Sequence, residues 1–380
     1  MDKVLTLRGG PELVAFWAQL GSVIELVAGV ALAGVGTGIS VLVAQAGRPD
    51  RQQALLRESL RLGLAAAAPA MLAVATVSAG FPENVAGGVF SQTLVALAAA
   101  SGCVAVIPGM VNGYWLGQQR RDLMLALAVA TAVLPLAAAI GAPQPAILGA
   151  LAVSQAMPAL AAAWVVGPKS RGDPAPEAGH DRRLLRSYMA PGLVIGVLTP
   201  LSMVAARGIV SGEMSWHEAG LLQSLWRVSD WVASVASGVM SVYFLPRLAA
   251  AWGTPQFAAV LRRTALATIL PSGVAFALLF AFQREVFALF YDESFRMSDH
   301  AVALFFAGGL VRIASWVPLY ALYAMRRTTP ITIGEFLSMP LFAALLALFS
   351  QGLSLERASA IWLASYLAYG LFNVWMVRPR

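Results

Sequence analysis

Residues 13–45 read LVAFWAQLGSVIELVAGVALAGVGTGISVLVAQ, with Glu25 as the only charged side chain. A helix rises about 1.5 Å per residue, so about 20 apolar residues cross a hydrocarbon core about 30 Å thick. This run exceeds that length and is expected to tilt or to extend past the bilayer. Similar runs follow at 61–80, 88–115, 123–141, 145–167, 187–210, 216–246, 263–283, 300–325, 330–350 and 358–377, which makes eleven candidate spans. The period-two alternation of an outer-membrane barrel is absent, and open sheets leave backbone groups unpaired in lipid. The fold class expected is an all-α polytopic membrane protein. Composition agrees: 59% of residues are hydrophobic and 12% charged, too few charges to coat a water-soluble surface.

The basic residues give the orientation. Alternate loops hold Arg48, Arg51, Arg120, Arg121, Lys169, Arg182, Arg247, Arg262 and Arg326, and the C-terminal Arg378 and Arg380 fall on the same side. The opposite loops hold Lys3, Arg8, Arg284, Arg296 and Arg357. The richer side is expected to be cytoplasmic, with the N-terminus outside and the C-terminus inside. The formal charge of +7 is thereby a topology signal, and no nucleic-acid partner is needed to explain it. Met1–Arg8 lacks a cleavable-leader pattern, so the first span is expected to act as the insertion signal.

The longest polar stretch runs to Arg186 and contains Pro168, Gly172, Pro174, Pro176 and Gly179. It reads as a cytoplasmic linker, 168–186, between an N-lobe of five spans (1–167) and a C-lobe of six (187–380). A weak internal repeat supports the division. Ala15–Gln19 reads like Ala219–Gln223, and an acid read as buried follows each, Glu25 and Asp230. The long outer loop Gln283–Asp299 mixes Phe287, Phe290 and Tyr291 with charges and is expected at the membrane surface.

Ionisable groups inside spans are costly and are functional candidates for that reason. They are Glu25, Arg207, Arg227, Asp230, Arg312 and Glu335. Gln223, Arg227 and Asp230 are spaced four and three apart, so they share one helix face. The bland reading of that face is an Arg227–Asp230 pair that satisfies itself. Arg207 and Arg312 have no acid within reach along their own helices, and a guanidinium fork fits phosphate oxygens. Arg207 lies toward the outer end of its span, where a snorkelling side chain is the alternative. Glu25 and Glu335 read as ion-pair partners or as ligands for a coupling cation. Pro108, Pro135, Pro158, Pro191, Pro200, Pro318 and Pro340 permit kinks within spans. Gly34 and Gly38 form a small-residue pair suited to close helix packing.

Several activities are excluded as expectations. Cys103 is the single cysteine, and His180, His217 and His300 are far apart, so neither a disulfide framework, a metal cluster nor a cofactor is expected. No G-x-x-x-x-G-K-[ST] loop occurs, and no outer loop is long enough for a catalytic domain. The chain reads as a transporter and not as an enzyme.

A family resemblance joins these features. Gly10-Pro11-Glu12-Leu13-Val14-Ala15 through Gln19, followed by Gly34-Val35-Gly36-Thr37-Gly38 and Val43-Ala44-Gln45, resembles the second helix of the Wzx-type polysaccharide and lipid-linked oligosaccharide flippases. Ser215-Trp216-His217-Glu218-Ala219-Gly220, then Gln223, Val228-Ser229-Asp230 and Tyr243-Phe244-Leu245-Pro246, resembles their eighth. Within that family the likeness is strongest to the flippases of lipid III in enterobacterial common antigen synthesis. The resemblance implies the multidrug/oligosaccharidyl-lipid/polysaccharide exporter superfamily, with two lobes around a central cavity. It also implies flipping of an undecaprenyl-diphosphate-linked glycan from the cytoplasmic to the periplasmic leaflet of the bacterial inner membrane, for surface polysaccharide such as O-antigen. Partners implied are that lipid-linked glycan, membrane lipids, and the polysaccharide polymerase and chain-length machinery. Arg207, Gln223, Asp230 and Gln19 fall on motif-like positions of the substrate cavity; Arg227 and Arg312 join them from burial logic alone. The family carries a helix ahead of the Gly-Pro motif, and upstream sequence is expected to encode it. The rivals are a cation-coupled multidrug antiporter of the same superfamily and a membrane-embedded glycan polymerase or ligase.

The arginine bias yields a direct test. With Cys103 replaced by serine, Gly179→Cys should resist a membrane-impermeant thiol reagent in intact cells and react after permeabilisation. Labelling of intact cells would reverse the topology.

Overall fold

The computed structural model describes residues 1–32, 35–46, 48–80, 91–160, 162 and 178–378. Among the described residues there are helices and no strand. In chain order they are α1 (Asp2–Leu32), α2 (Val35–Gln45), α3 (Pro49–Gly80), α4 (Gln92–Val104), α5 (Val106–Gly117), α6 (Arg121–Gly141), α7 (Ile147–Ala156) and α8 (Ala178–Glu213). They continue as α9 (Trp216–Val239), α10 (Leu245–Ala251), α11 (Phe257–Ala281), α12 (Gln283–Phe290), α13 (Asp299–Ala324), α14 (Thr328–Phe336), α15 (Met339–Leu348) and α16 (Leu355–Val377). The protein is an all-α polytopic membrane protein, and nine helical segments among the described residues are long and apolar enough to cross a bilayer. Of the other two expected spans, 145–167 lies partly outside the described residues, and 187–210 falls within α8.

Several expectations change in detail. The helix α8 begins at Ala178, inside the expected linker, whose residues 168–177 lie outside the described ones. Gly34 of the small-residue pair lies outside them too. The segment 216–251 is not one regular helix: Met240–Phe244 winds as a π-helical turn between α9 and α10. Pro246 at the start of α10 has no N–H for an i−4 carbonyl, which favours such a change of winding.

Contacts gather the chain into two units, Phe16–Val204 with Met1, and Asp2–Ala15 with Ala205–Arg380. The division falls within α1. Gly9 and Gly10 leave helical geometry there, and Gly10 has φ of 64°, a conformation that costs a glycine little.

In the first unit, glycine sets the helix spacing. Gly102, Gly109, Gly113 and Gly117 line one face of α4 and α5. They meet the Ile24 carbonyl, the Leu32 side chain, the Gly36 carbonyl and the Ser40 carbonyl of α1 and α2. A Cβ on Gly113 or Gly117 would stand 2.6 Å from the facing carbonyl oxygen. Close approach of this kind replaces the hydrophobic drive that helices lack in lipid. Around it Val27, Ala31, Ile39, Val43, Val106 and Met110 form a buried core.

Aromatic packing organises the second unit instead. Trp362 of α16 stacks on Phe305 of α13, with centroids 4.9 Å apart and planes 3° apart. The Trp226 ring meets Phe305, Phe342 and Trp362 edge-on. Gly308 lies against the Trp362 indole, so α13 and α16 approach where one side is bare. Short helix α12 and the loop after it turn Phe287, Tyr291 and Phe295 inward and leave Leu289 and Phe290 exposed.

Serine caps four of the helices that start on the expected outer side. Ser91, Ser215, Ser298 and Ser354 each accept from the backbone N–H three residues on, at 3.2 Å. Arg120, Gln256 and Arg327, at starts on the expected inner side, make no such side-chain cap.

Gly113→Val and Gly117→Val should each lower the stability of the purified protein by about 1–3 kcal/mol, because the backbones must separate. Gly21→Ala, where a Cβ would meet nothing within 4 Å, should be nearly neutral. Thermal unfolding in detergent checks both, and equal behaviour of the three variants would refute the packing role.

Candidate functional site

The face of α9 carrying Gln223, Arg227 and Asp230 is the origin of the candidate site, and all its partners below belong to the second unit. Each of the three side chains engages a different element. Gln223 is buried and its Oε1 accepts a 2.7 Å hydrogen bond from Nη1 of Arg207 on α8. Arg227 pairs with Asp2, Nε to Oδ2 3.7 Å. Asp230 accepts from Nη1 of Arg312 on α13, at 2.6 Å. The self-contained Arg227–Asp230 pair does not form, because helix spacing places both on α9 while closer counter-charges come from α1 and α13.

Arg207 does not snorkel. Its guanidinium is 1% exposed and enclosed between α8 and α9. Arg312 is more open. Its side chain is 23% exposed and that of Asp230 41%, so the pair is reachable from one side. Three rings stand around its guanidinium: Trp316 at 5.3 Å, and Trp362 and Tyr366 at 5.9 Å each. Cation–π attraction at these distances helps to hold the guanidinium in place. The Trp226 and Trp362 indole N–H groups and the Ser229 hydroxyl nearby are buried with no hydrogen-bond partner. Such orphans in the same neighbourhood fit a place that bound molecules or water complete.

The N-terminal segment closes the other flank. Lys3 Nζ donates to the carbonyls of Ala288 (2.8 Å) and Tyr291, at the C-terminal end of α12. A cation at a helix C-terminus meets both free carbonyls and the negative end of the dipole. Tyr291, between spans, has its phenol held well above the ordinary range by burial, with the charge of Asp2 adding to it. Farther along α1, Glu12 meets His217 at 3.2 Å, and Gly220 of α9 packs against the Pro11 backbone.

The remaining candidates lie apart. Gln19 donates to the Val204 carbonyl at 3.2 Å within the first unit. Glu25 is exposed, where the sequence had read a buried acid; the apolar neighbours Ile24 and Val27 take the interior faces of that helix instead. Glu335 stands one residue before the end of α14. Sequence reasoning missed Asp2, Lys3 and Tyr291 because their roles depend on contacts across the whole chain. The ring cage had a partial signal, since Trp316 lies one helical turn beyond Arg312.

No family model matches the sequence, and no curated protein does. Solved structures do match in fold. A multidrug-resistance MATE-family transporter of the MOP superfamily, in its inward-facing conformation, superposes with a TM-score of 0.77 at 12% identity, over 98% of this chain and 92% of that one. The lipid II flippase MurJ in an inward closed conformation gives 0.70 at 12% identity, over 100% and 84%. A MOP-superfamily transporter from Pyrococcus furiosus, described for the reversed polarity of its binding pocket, gives 0.62 at 14%, over 98% and 96%. The chain has the fold of the MOP-superfamily transporters.

The Arg312–Asp230 contact predicts a non-additive pair. Asp230→Ala alone should destabilise by about 2–3 kcal/mol, since it leaves a partly buried guanidinium without its carboxylate. Asp230→Leu combined with Arg312→Met should recover most of that loss. Thermal unfolding of the purified variants measures it, and additive losses would show that the two side chains do not depend on each other.

Proposed function

We propose that the protein flips an undecaprenyl-diphosphate-linked glycan from the cytoplasmic to the periplasmic leaflet of the bacterial inner membrane, by alternating access, for surface polysaccharide synthesis. The observation that carries this reading is the set Arg207, Arg227 and Arg312 around one face of α9. Arg227 and Arg312 each meet one carboxylate, Asp2 and Asp230, through a single contact, and a guanidinium has further N–H groups to offer an anion. A diphosphate offers oxygens that fit guanidinium forks, and it cannot cross hydrocarbon without such compensation. Arg227 and Arg312 keep partly exposed side chains and are the groups a diphosphate reaches first. Arg207 and Gln223 hold the α8–α9 frame beneath them. The lobes 1–167 and 187–380, joined by a cytoplasmic linker, are the bodies that would rock. The fold match to a lipid II flippase supports a lipid-linked cargo, and polymerase and chain-length proteins are the natural recipients of the product.

The fold match to a multidrug transporter favours a second reading, a cation-coupled antiporter of organic cations. An organic cation needs free ring faces and carboxylates. The faces of Trp316, Trp362 and Tyr366 already serve Arg312, and Asp230 neutralises the same arginine. The arginine-rich reading therefore suits these residues better.

Proteoliposomes decide between them. Arg227→Ala, and Arg312→Met together with Asp230→Leu, should each reduce flipping of a lipid-linked glycan at least tenfold while the protein remains in the membrane. Arg227→Lys should restore only part, because lysine keeps the charge and loses the fork. Full flipping by the arginine-free variants, or drug export with no glycan flipping, would reject the proposal.

A further inference from the structure

The polar face of α9 does not stop at Asp230. Ser234 and Ser237 follow it at intervals of four and three residues, and Ser241 stands four further on, in the π-helical turn. A helix completes a turn in about 3.6 residues, so these positions stay within one narrow stripe. Ser234 and Ser241 are exposed, and Ser237 is half-buried. Another face of α9 carries Trp231, Val235 and Val239, all exposed and apolar. That face suits lipid. A stripe that carries Arg227 and Asp230 does not, and it belongs against protein or a watery cavity.

Helix α13 sets rings beside these hydroxyls. From Arg312, the residues Trp316, Tyr320 and Tyr323 follow at intervals of four, four and three, again one stripe. The two stripes run side by side. Arg312 meets Asp230 at 2.6 Å, and the Tyr320 hydroxyl donates to the Ser237 carbonyl at 3.5 Å. Tyr323 is 40% exposed, and Trp316 is half-buried with no ring partner among the described residues. Rings that serve packing alone are enclosed, as Trp226, Trp362 and Tyr369 are in this same unit. The serines are oriented as well. Ser234, Ser237 and Ser241 donate to the carbonyls of Asp230, Ser234 and Gly238 in their own helix, at 2.7, 3.1 and 3.1 Å. Each hydroxyl proton is thereby engaged, and the lone pairs of each oxygen are left to accept.

We propose that this two-helix stripe binds the glycan of the cargo, with Trp316, Tyr320 and Tyr323 stacking on sugar rings and the three serines accepting from sugar hydroxyls. The proposal rests on the cargo reading above and extends it from the diphosphate to the sugars. A pyranose presents apolar C–H faces and a rim of hydroxyls, and aromatic faces beside acceptor oxygens match both. From Arg312 to Tyr323 the stripe is about 16 Å long, which suits an oligosaccharide better than a single sugar. Its order matches the order along a lipid-linked glycan, with the diphosphate at Arg312 and the sugars beyond it. A neutral sugar meets no repulsion from the guanidinium over Trp316, as an organic cation would. The consequence is selectivity. Carrier lipid with its glycan is held at both parts, whereas the bare carrier diphosphate is held at the arginines alone.

Equilibrium binding to the purified full-length protein, read by native mass spectrometry, tests this without any transport assay. The probes are undecaprenyl diphosphate, the same lipid carrying a trisaccharide of N-acetylglucosamine, and the free trisaccharide. The wild-type protein should bind the glycosylated lipid about tenfold tighter than the bare one, as several ring contacts add up. Trp316→Leu and Tyr323→Leu should each cut that ratio about threefold, while Tyr323→Phe, which keeps the ring, should retain it. Ser234→Ala combined with Ser241→Ala should cut it too, and serves if a ring variant folds poorly, since both serines are exposed. A wild-type ratio near one would overturn the glycan surface and leave the diphosphate reading standing. So would a ratio that the leucine and alanine variants all leave in place. Binding of the free trisaccharide that these variants weaken, with neither lipid bound, would keep the surface and defeat the cargo reading instead.

Discussion

A charge inside hydrocarbon must bring its compensation with it, and that constraint governs how the second unit is put together. The pairs that meet it join separate elements of the chain: Arg312 of α13 to Asp230 of α9, Arg227 of α9 to Asp2 of α1, and Arg207 of α8 to Gln223 of α9. Helix α9 is therefore the hub of the polar network, and α1, α8 and α13 are held to it by contacts that cost several kcal/mol to strand. The aromatic cluster of Trp226, Phe305, Phe342 and Trp362 then fills the space those contacts define. In the first unit the helices also solve a different problem. Bare glycine faces let backbones touch, and the packing there is tight and almost wholly apolar.

The same constraint explains what could be read from the sequence. Spans were legible because length and apolarity are local properties, and nine of the expected runs coincide with helical segments of spanning length among the described residues. Candidate ionisable residues were legible for the same reason, since a charge in an apolar run announces itself. Their partners were not. Asp230 and Arg312 are separated by 82 residues, and nothing in either run names the other. Arg227 lies three residues from Asp230, which made the wrong pair look natural. Helix geometry permits that pair, but an acid delivered by α1 and an arginine delivered by α13 compete for its two members and win.

Breaks within helices were legible only in part. Pro340 marked a kink, and the structure places a full break there, with α14 ending at Phe336 and α15 starting at Met339. The Gly10-Pro11 pair likewise marked a motif without revealing its consequence. Gly9 and Gly10 turn the chain so that Asp2 and Lys3 reach Arg227 and the end of α12. Two glycines thus set which residues an N-terminal segment can serve, and the two charges in that segment do the binding.

On the proposed reading, the resident carboxylates have a further physical meaning. A site for a diphosphate has to exist before the cargo arrives, and bare guanidinium groups in a low-dielectric interior are expensive. Asp2 and Asp230 hold Arg227 and Arg312 in the meantime, at contacts of 3.7 Å and 2.6 Å. The longer contact yields first, because Coulomb attraction weakens with distance and the Arg227 side chain is the more exposed of the two. Arg312 is restrained twice over, by Asp230 and by its rings. An incoming anion therefore meets a loosely held cation beside a firmly held one. The first can turn to capture the cargo, and the second keeps its position and gives the captured group a fixed point to bind.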